Sequence, residues 1–135
     1  MKLFCNSETG KLRSVVIGYP DNFNNNGVPV EIINQTQAKF YASALKPTAE
    51  SLQSEFLKFQ QTLERYGVEV FIPEPCNVPD QLCPRDLGFV IGDRFFLTRM
   101  AKQSRANEYQ GIQYLIGQLG STKVVRAPKK IVIEG

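Results

Sequence analysis

Histidine is absent from all 135 residues. Imidazole is the usual proton acceptor near neutral pH, so a complete hydrolase confined to this chain would need another base. No Gly-rich phosphate loop stands between a strand and a helix, which weakens a plain nucleotide-binding reading. No apolar run approaches the roughly 20 residues of a membrane span, and residues 1–4 (MKLF) begin no apolar stretch long enough for export. Lys129 and Lys130 are the one adjacent basic pair, so a net charge of +3 forms no stripe suited to nucleic acid. Cys5, Cys76 and Cys83 lack metal-like pair spacing, and their odd number without an export signal predicts reduced thiols and a cytoplasmic location.

What is present reads as one ordinary globular domain, 42% hydrophobic and 21% charged. Residues 12–19 (LRSVVIGY) form an apolar run ended by Pro20 and predict a buried strand. Residues 21–29 (DNFNNNGVP) are crowded with Asn, Gly and Pro and predict an exposed loop. Leu52, Phe56, Phe59 and Leu63 recur at steps of four, three and four, which predicts an amphipathic helix over residues 48–66 with Gly67 as its cap. Residues 68–73 (VEVFIP) follow as a strand that this helix can cover. Residues 87–91 and 95–98, separated by Gly92, Asp93 and Arg94, predict a tight hairpin. Ser104 is placed to cap a second helix whose face holds Ile112, Leu115, Ile116 and Leu119 before Gly120 stops it. Val124 and Val125, then residues 131–133, predict two more strands.

The segment that carries chemistry is residues 76–86 (CNVPDQLCPRD), a loop stiffened by Pro79 and Pro84, with Pro75 just before it. It holds Asp80, Arg85 and Asp86, and Asp86 abuts the apolar run that opens the hairpin. A carboxylate at the floor of an apolar cleft needs a cation, a hydrogen-bond network or a ligand. Composition alone favours pairing of Asp86 with Arg85 or with loop amides as a turn cap. The sharper alternative is a carboxylate fork that receives a planar guanidinium through parallel N–H···O bonds.

Residues 79–93 (PDQLCPRDLGFVIGD) resemble the Arg-Asp segment of the amidinotransferase and arginine deiminase superfamily. Residues 12–20 are similar to the first strand of that family, and residues 132–135 (VIEG) to the start of its Glu-Gly-Gly-Asp motif. The resemblance implies an α/β fold: a partial pentein propeller, with about two ββαβ-type modules of a five-module ring at residues 1–75 and 76–130, and residues 131–135 opening a third. It implies that Asp86 grips a substrate guanidinium, that Asp80 also contacts substrate, and that Arg105 holds the carboxylate of an arginine-like substrate. Arg99 is the alternative to Arg105, and Arg85 is a further candidate contact. Glu108 is spaced to pair with Arg105, a pair expected to decorate a solvated helix.

Enzymes of this family attack the guanidino carbon with a Cys thiolate and pass the covalent amidino intermediate to water or an amine, with a His as acid and base. Both residues fall in later modules, so the resemblance implies that this chain is the substrate-binding N-terminal portion and is inactive alone. Cys76 and Cys83 sit where the family has no nucleophile and are expected to fill the loop. No cofactor or metal is implied. The expected partners are a small guanidino substrate and either further copies of the chain, as a homo-oligomer, or the missing C-terminal part. The alternative is a non-catalytic guanidino-binding or protein-interaction module of the same fold.

Overall fold

The periodic apolar residues beyond Thr48 wind into helix α2 (Ala49–Arg65), preceded by a short α1 (Gln35–Ala42). The Thr48 hydroxyl accepts from the Ser51 amide at 3.1 Å, and the Ser51 hydroxyl accepts from the Thr48 amide at 3.0 Å. This capping box supplies acceptors to N–H groups that the first turn leaves unpaired. Gly67, at a φ of 73°, ends the helix in the left-handed region that a side chain would strain. Thr48→Ala is expected to cost about 1 kcal/mol, read as a drop of roughly 4 °C in a thermal melt. An unchanged melting temperature would contradict the box.

The computed structural model describes residues 2–23, 32, 35–43 and 47–133. Among these, five strands form two sheets. β1 (Ser14–Val16) and β2 (Glu69–Phe71) pair in parallel, Val15 opposite Val70. Parallel neighbours need a crossover, which α2 supplies. β3 (Gly88–Ile91) and β4 (Arg94–Leu97) make an antiparallel hairpin, and β5 (Val124–Arg126) adds in parallel to β4. The crossover from β4 to β5 runs through short 3-10 turns and α3 (Gln113–Leu119). Both sheets therefore contain strand, helix and parallel strand, the arrangement of an α/β protein.

The hairpin loop is two residues, Gly92 and Asp93, because Arg94 already pairs with Ile91; Gly92 carries the positive φ of 58° that such a turn requires. Leu87, Leu97, Ile112, Leu115 and Ile116 close the core between this sheet and α3. The predicted face of α3 is thus the buried one. Around α2 the packing is looser, and no side chain of the helix is fully buried. Phe59 is 51% exposed, and with Phe56 it lines an apolar cavity of about 590 Å³ whose other walls include Val16, Phe71, Leu115 and Leu119.

Several expectations need correction. The first strand is three residues rather than eight, since Arg13 and Ile17 touch β2 through backbone bonds beyond the ladder (2.9 and 3.0 Å) and the chain then departs toward Gln81. Asn22 and Phe23 are buried, not part of an exposed loop, because Asn22 is drawn in by side-chain bonds; residues 24–29 lie outside the described residues. Ser104 caps no helix: it sits inside a 3-10 turn (Gln103–Arg105) that follows Lys102, and α-helical winding starts only at Gln113. Residues 131–133 form no strand, and Ile133 makes an isolated bridge to Arg99.

Candidate functional site

Pro84 fixes the backbone angle that starts a 3-10 turn, Pro84–Asp86, directly before the hairpin. The Asp86 amide donates to the Cys83 carbonyl at 3.1 Å, and the Asp86 carbonyl accepts from the Thr98 hydroxyl at the far end of β4. Turn and sheet together aim the Asp86 side chain, which is 13% exposed. Its chain neighbours line two cavities: Pro84 and Arg85 the apolar one, Leu87 a second of about 390 Å³ shared with Thr98, Arg99 and Arg126.

Arg105 meets this carboxylate from the opposite side, Nη1 to Oδ2 at 2.8 Å. Its Nε donates to Oε2 of Glu108 at 2.7 Å, and its Nη2 to the Cys83 carbonyl at 3.4 Å. Asp86, Arg105 and Glu108 thus form one chain of ion pairs. Burial opposes the Arg105 charge, but its bonds to Glu108 and Asp86 outweigh burial, and its pKa is raised, so it is a permanent cation. For Glu108 burial wins: it raises the carboxyl above the usual range, Arg105 opposes this, and Asp80 and Asp86 add to it. Its other oxygen, Oε1, is buried with no hydrogen-bond partner among the described residues.

Of the residues singled out from sequence, the structure brings Asp86 and Arg105 together and leaves Arg85 at the rim. The Arg85 side chain is 78% exposed, its Nε 3.9 Å from Asp86, so screening leaves that contact weak. Asp80 is half-buried, and its Oδ1 accepts from the Leu82 amide at 3.4 Å. Arg99 is exposed and contributes to the second cavity, so the alternative to Arg105 is not the residue on Asp86. The Glu108 pair is not decoration of a solvated helix. Its carboxylate is 1% exposed, because the 3-10 turns of this segment face the loop rather than water.

Gln81 is a functional-site residue that the sequence does not single out. Gln81 is 1% exposed, and its Oε1 accepts from Asn22 Nδ2 at 2.6 Å and from the Cys76 amide at 3.0 Å. Its Nε2 donates to the Glu74 carbonyl at 3.0 Å, and its own carbonyl accepts from Tyr19 at 2.9 Å. One side chain therefore ties the loop to both halves of the chain. Only its place between Asp80 and the second proline of the loop hinted at this. The thiols of Cys76 and Cys83 are pushed up, chiefly by burial, with Glu108 adding at Cys76 and Asp86 at Cys83. Burial thus disfavours the nucleophilic thiolate form of both. Among the described residues no three His, Cys, Asp or Glu side chains gather as a metal site, and no helix is long and apolar enough to cross a membrane.

The architecture recurs in known proteins. A family model described as N,N dimethylarginine dimethylhydrolase, eukaryotic, matches residues 19–131. The uncharacterized protein YkgA of Bacillus subtilis (strain 168) is 29% identical over 108 residues, which is 79% of this chain and 36% of that protein. Inosamine-phosphate amidinotransferase StrB1 from Streptomyces griseus superposes with a TM-score of 0.69 at 19% identity, over 94% of this chain and 43% of its own. AgrE, solved in a binary complex with L-arginine, superposes with a TM-score of 0.70 at 20% identity, over 92% of this chain and 17% of its own. The chain spans less than half the length of each. With its family model matched from Tyr19 to Ile131, the chain belongs to the N,N-dimethylarginine dimethylhydrolase family, within the pentein amidinotransferase superfamily.

Proposed function

We propose that this chain is the substrate-gripping N-terminal portion of an enzyme acting on the guanidino group of arginine or a related compound. The observation that carries this reading is that the Asp86 carboxylate already holds a guanidinium, that of Arg105, at 2.8 Å in a half-buried setting. A carboxylate so placed is suited to a planar cation. Asp86 grips the substrate guanidinium, Asp80 assists it, and Arg105 holds a substrate carboxylate, with Arg85 at the entrance. The names of relatives point to the same chemistry: dimethylarginine hydrolysis, amidino transfer and L-arginine binding.

In this reading a Cys thiolate attacks the guanidino carbon, the C–N bond to ammonia or an amine breaks, and water or a second amine takes the amidino group from sulfur. The sequence has no His, and its two loop thiols are held up as thiols by burial. Nucleophile and acid-base residue then come from a further segment, and this chain alone does not turn over. Residues 1–75 and 76–130 are two modules of the ring, and 131–135 begin a third. The apolar cavity and the exposed Phe59 favour association with the rest of the ring or with further copies of the chain.

Calorimetric titration with L-arginine, methylated arginines and agmatine tests the binding claim, and light scattering the association. Saturable binding of at least one guanidino compound, by a species larger than a monomer, is expected. No heat with any of them would sink the reading, and binding by a monomer would sink only the association. Turnover by this chain alone would show that the catalytic groups are already in it.

A further inference from the structure

Glu108 is buried at a cost that its own bonding does not explain. Oε2 has Arg105, but Oε1 has no partner among the described residues, and the side chain is 1% exposed. A buried carboxylate oxygen without a donor is unfavourable, and such a group calls for a reason outside its own contacts. The neighbouring charges provide one. Asp86 and Glu108 each carry one negative charge when ionised, and Arg105, between them at 2.8 and 2.7 Å, carries one positive. These three are left with one negative charge in excess, and Asp80, whose charge also reaches Glu108, adds to it. Arg85 compensates little of it, being 78% exposed and 3.9 Å away. Were Glu108 neutral, Arg105 and Asp86 would cancel, and only the half-buried Asp80 would be left to attract a cation.

We infer that Glu108 is a positioning residue: by drawing the Nε edge and part of the charge of Arg105 to itself, it leaves the Asp86 carboxylate, held by Arg105 through Nη1 alone, only partly compensated and open to a guanidinium ligand. This rests on the function proposed above, and it adds a residue that does not touch the ligand. It also assigns the two ends of Arg105 different tasks. Nε is anchored on Glu108, while Nη1 lies on Asp86, the carboxylate assigned to the ligand.

Two probes separate the effects. Agmatine carries a guanidinium and an amine; L-arginine carries a carboxylate as well. Glu108→Gln keeps the size of the side chain and an oxygen for the Arg105 Nε–H but removes the charge. It is expected to weaken agmatine by about tenfold or more in calorimetry, and L-arginine clearly less, because the released Arg105 charge favours a carboxylate. The double variant Arg105→Gln with Glu108→Gln removes one charge of each sign and restores the excess. It should recover much of the agmatine affinity while losing L-arginine. Equal weakening of both ligands by Glu108→Gln, or no recovery in the double variant, would overturn the inference, since a merely structural role moves both ligands alike.

If Glu108→Gln fails to fold, the wild-type protein suffices. Saturating agmatine must lower the titration midpoint of the Glu108 carboxyl, followed by carbon NMR, because a bound cation favours the ionised form. A midpoint unmoved by agmatine also overturns the inference. Should the wild-type protein bind none of agmatine, L-arginine and the methylated arginines, the proposed function fails and takes this inference with it; binding of methylated arginines alone leaves that function standing and overturns the inference.

Discussion

Asp86→Asn is expected to weaken guanidino-ligand binding by about a hundredfold or more, the cost of removing one charge from a desolvated ion pair. In the protein carrying the full catalytic apparatus, turnover should fall below detection. The prediction is specific because the backbone at this position does not depend on the carboxylate. The Asp86 amide is held by Cys83 and its carbonyl by Thr98, and both bonds persist with Asn. Asn also offers Arg105 a carbonyl oxygen, and Arg105 retains Glu108. A thermal melt should therefore shift by only a few degrees, corresponding to roughly 1 kcal/mol. Asp80→Asn serves as the comparison. Asp80 already accepts from the Leu82 amide and is only half-buried, so its replacement should cost less affinity. Wild-type binding by the Asp86 variant would remove the basis of the proposed function.

Periodicity made α2, α3 and the hairpin legible, because each carries a regular pattern of apolar side chains. The four positions chosen by spacing, Ile112 just before α3 and Leu115, Ile116 and Leu119 within it, are buried, and Gly92 sits at the positive φ that its turn requires. Helix α1 was not legible. Its eight residues, QTQAKFYA, carry little amphipathic pattern, so nothing in their order distinguishes a helix from a connection. Ser104 misled because a good capping residue ahead of a periodic face is an N-terminus only if the backbone continues in α form. Here 3-10 turns occupy the segment up to Ile112.

At the site, sequence resemblance pointed to Asp86 and Arg105 separately, as grips for opposite ends of a ligand. Their 2.8 Å contact across nineteen residues of chain is a tertiary fact that no local pattern encodes. Glu108 was misjudged for a related reason. A Glu three residues beyond an Arg is ordinarily a surface pair, and its burial becomes visible only once the segment is seen to lie against the loop. Gln81 shows the same limit. Its neighbours Asp80 and Leu82 are half-buried, whereas its own side chain collects bonds from Asn22, Cys76 and Glu74, two of which flank the loop and one of which comes from the start of the chain.

That junction supports the second large effect. Gly111→Ala is expected to destabilise the protein by about 2–4 kcal/mol, combining overpacking with loss of buried hydrogen bonds. A Cβ at Gly111 would lie 2.5 Å from Gln81 Nε2, 2.7 Å from the Glu74 carbonyl oxygen and 3.1 Å from Pro73 Cβ. The first neighbour is held by its own bonds, the second is backbone, and neither can retreat cheaply. Relief requires lengthening either the bond from the Glu74 amide to the Gly111 carbonyl, now 2.7 Å, or the Gln81 bond to Glu74, now 3.0 Å. Gly117 provides the contrast. It lies in α3, where an added Cβ meets nothing within 4 Å, so Gly117→Ala should be neutral or stabilising by about 0.5–1 kcal/mol through helix propensity. Urea unfolding of the two variants beside the parent separates the cases. A Gly111→Ala midpoint equal to that of Gly117→Ala would mean that the loop is not clamped at Gln81, and that Asp86 and Glu108 are not held to their places by this junction.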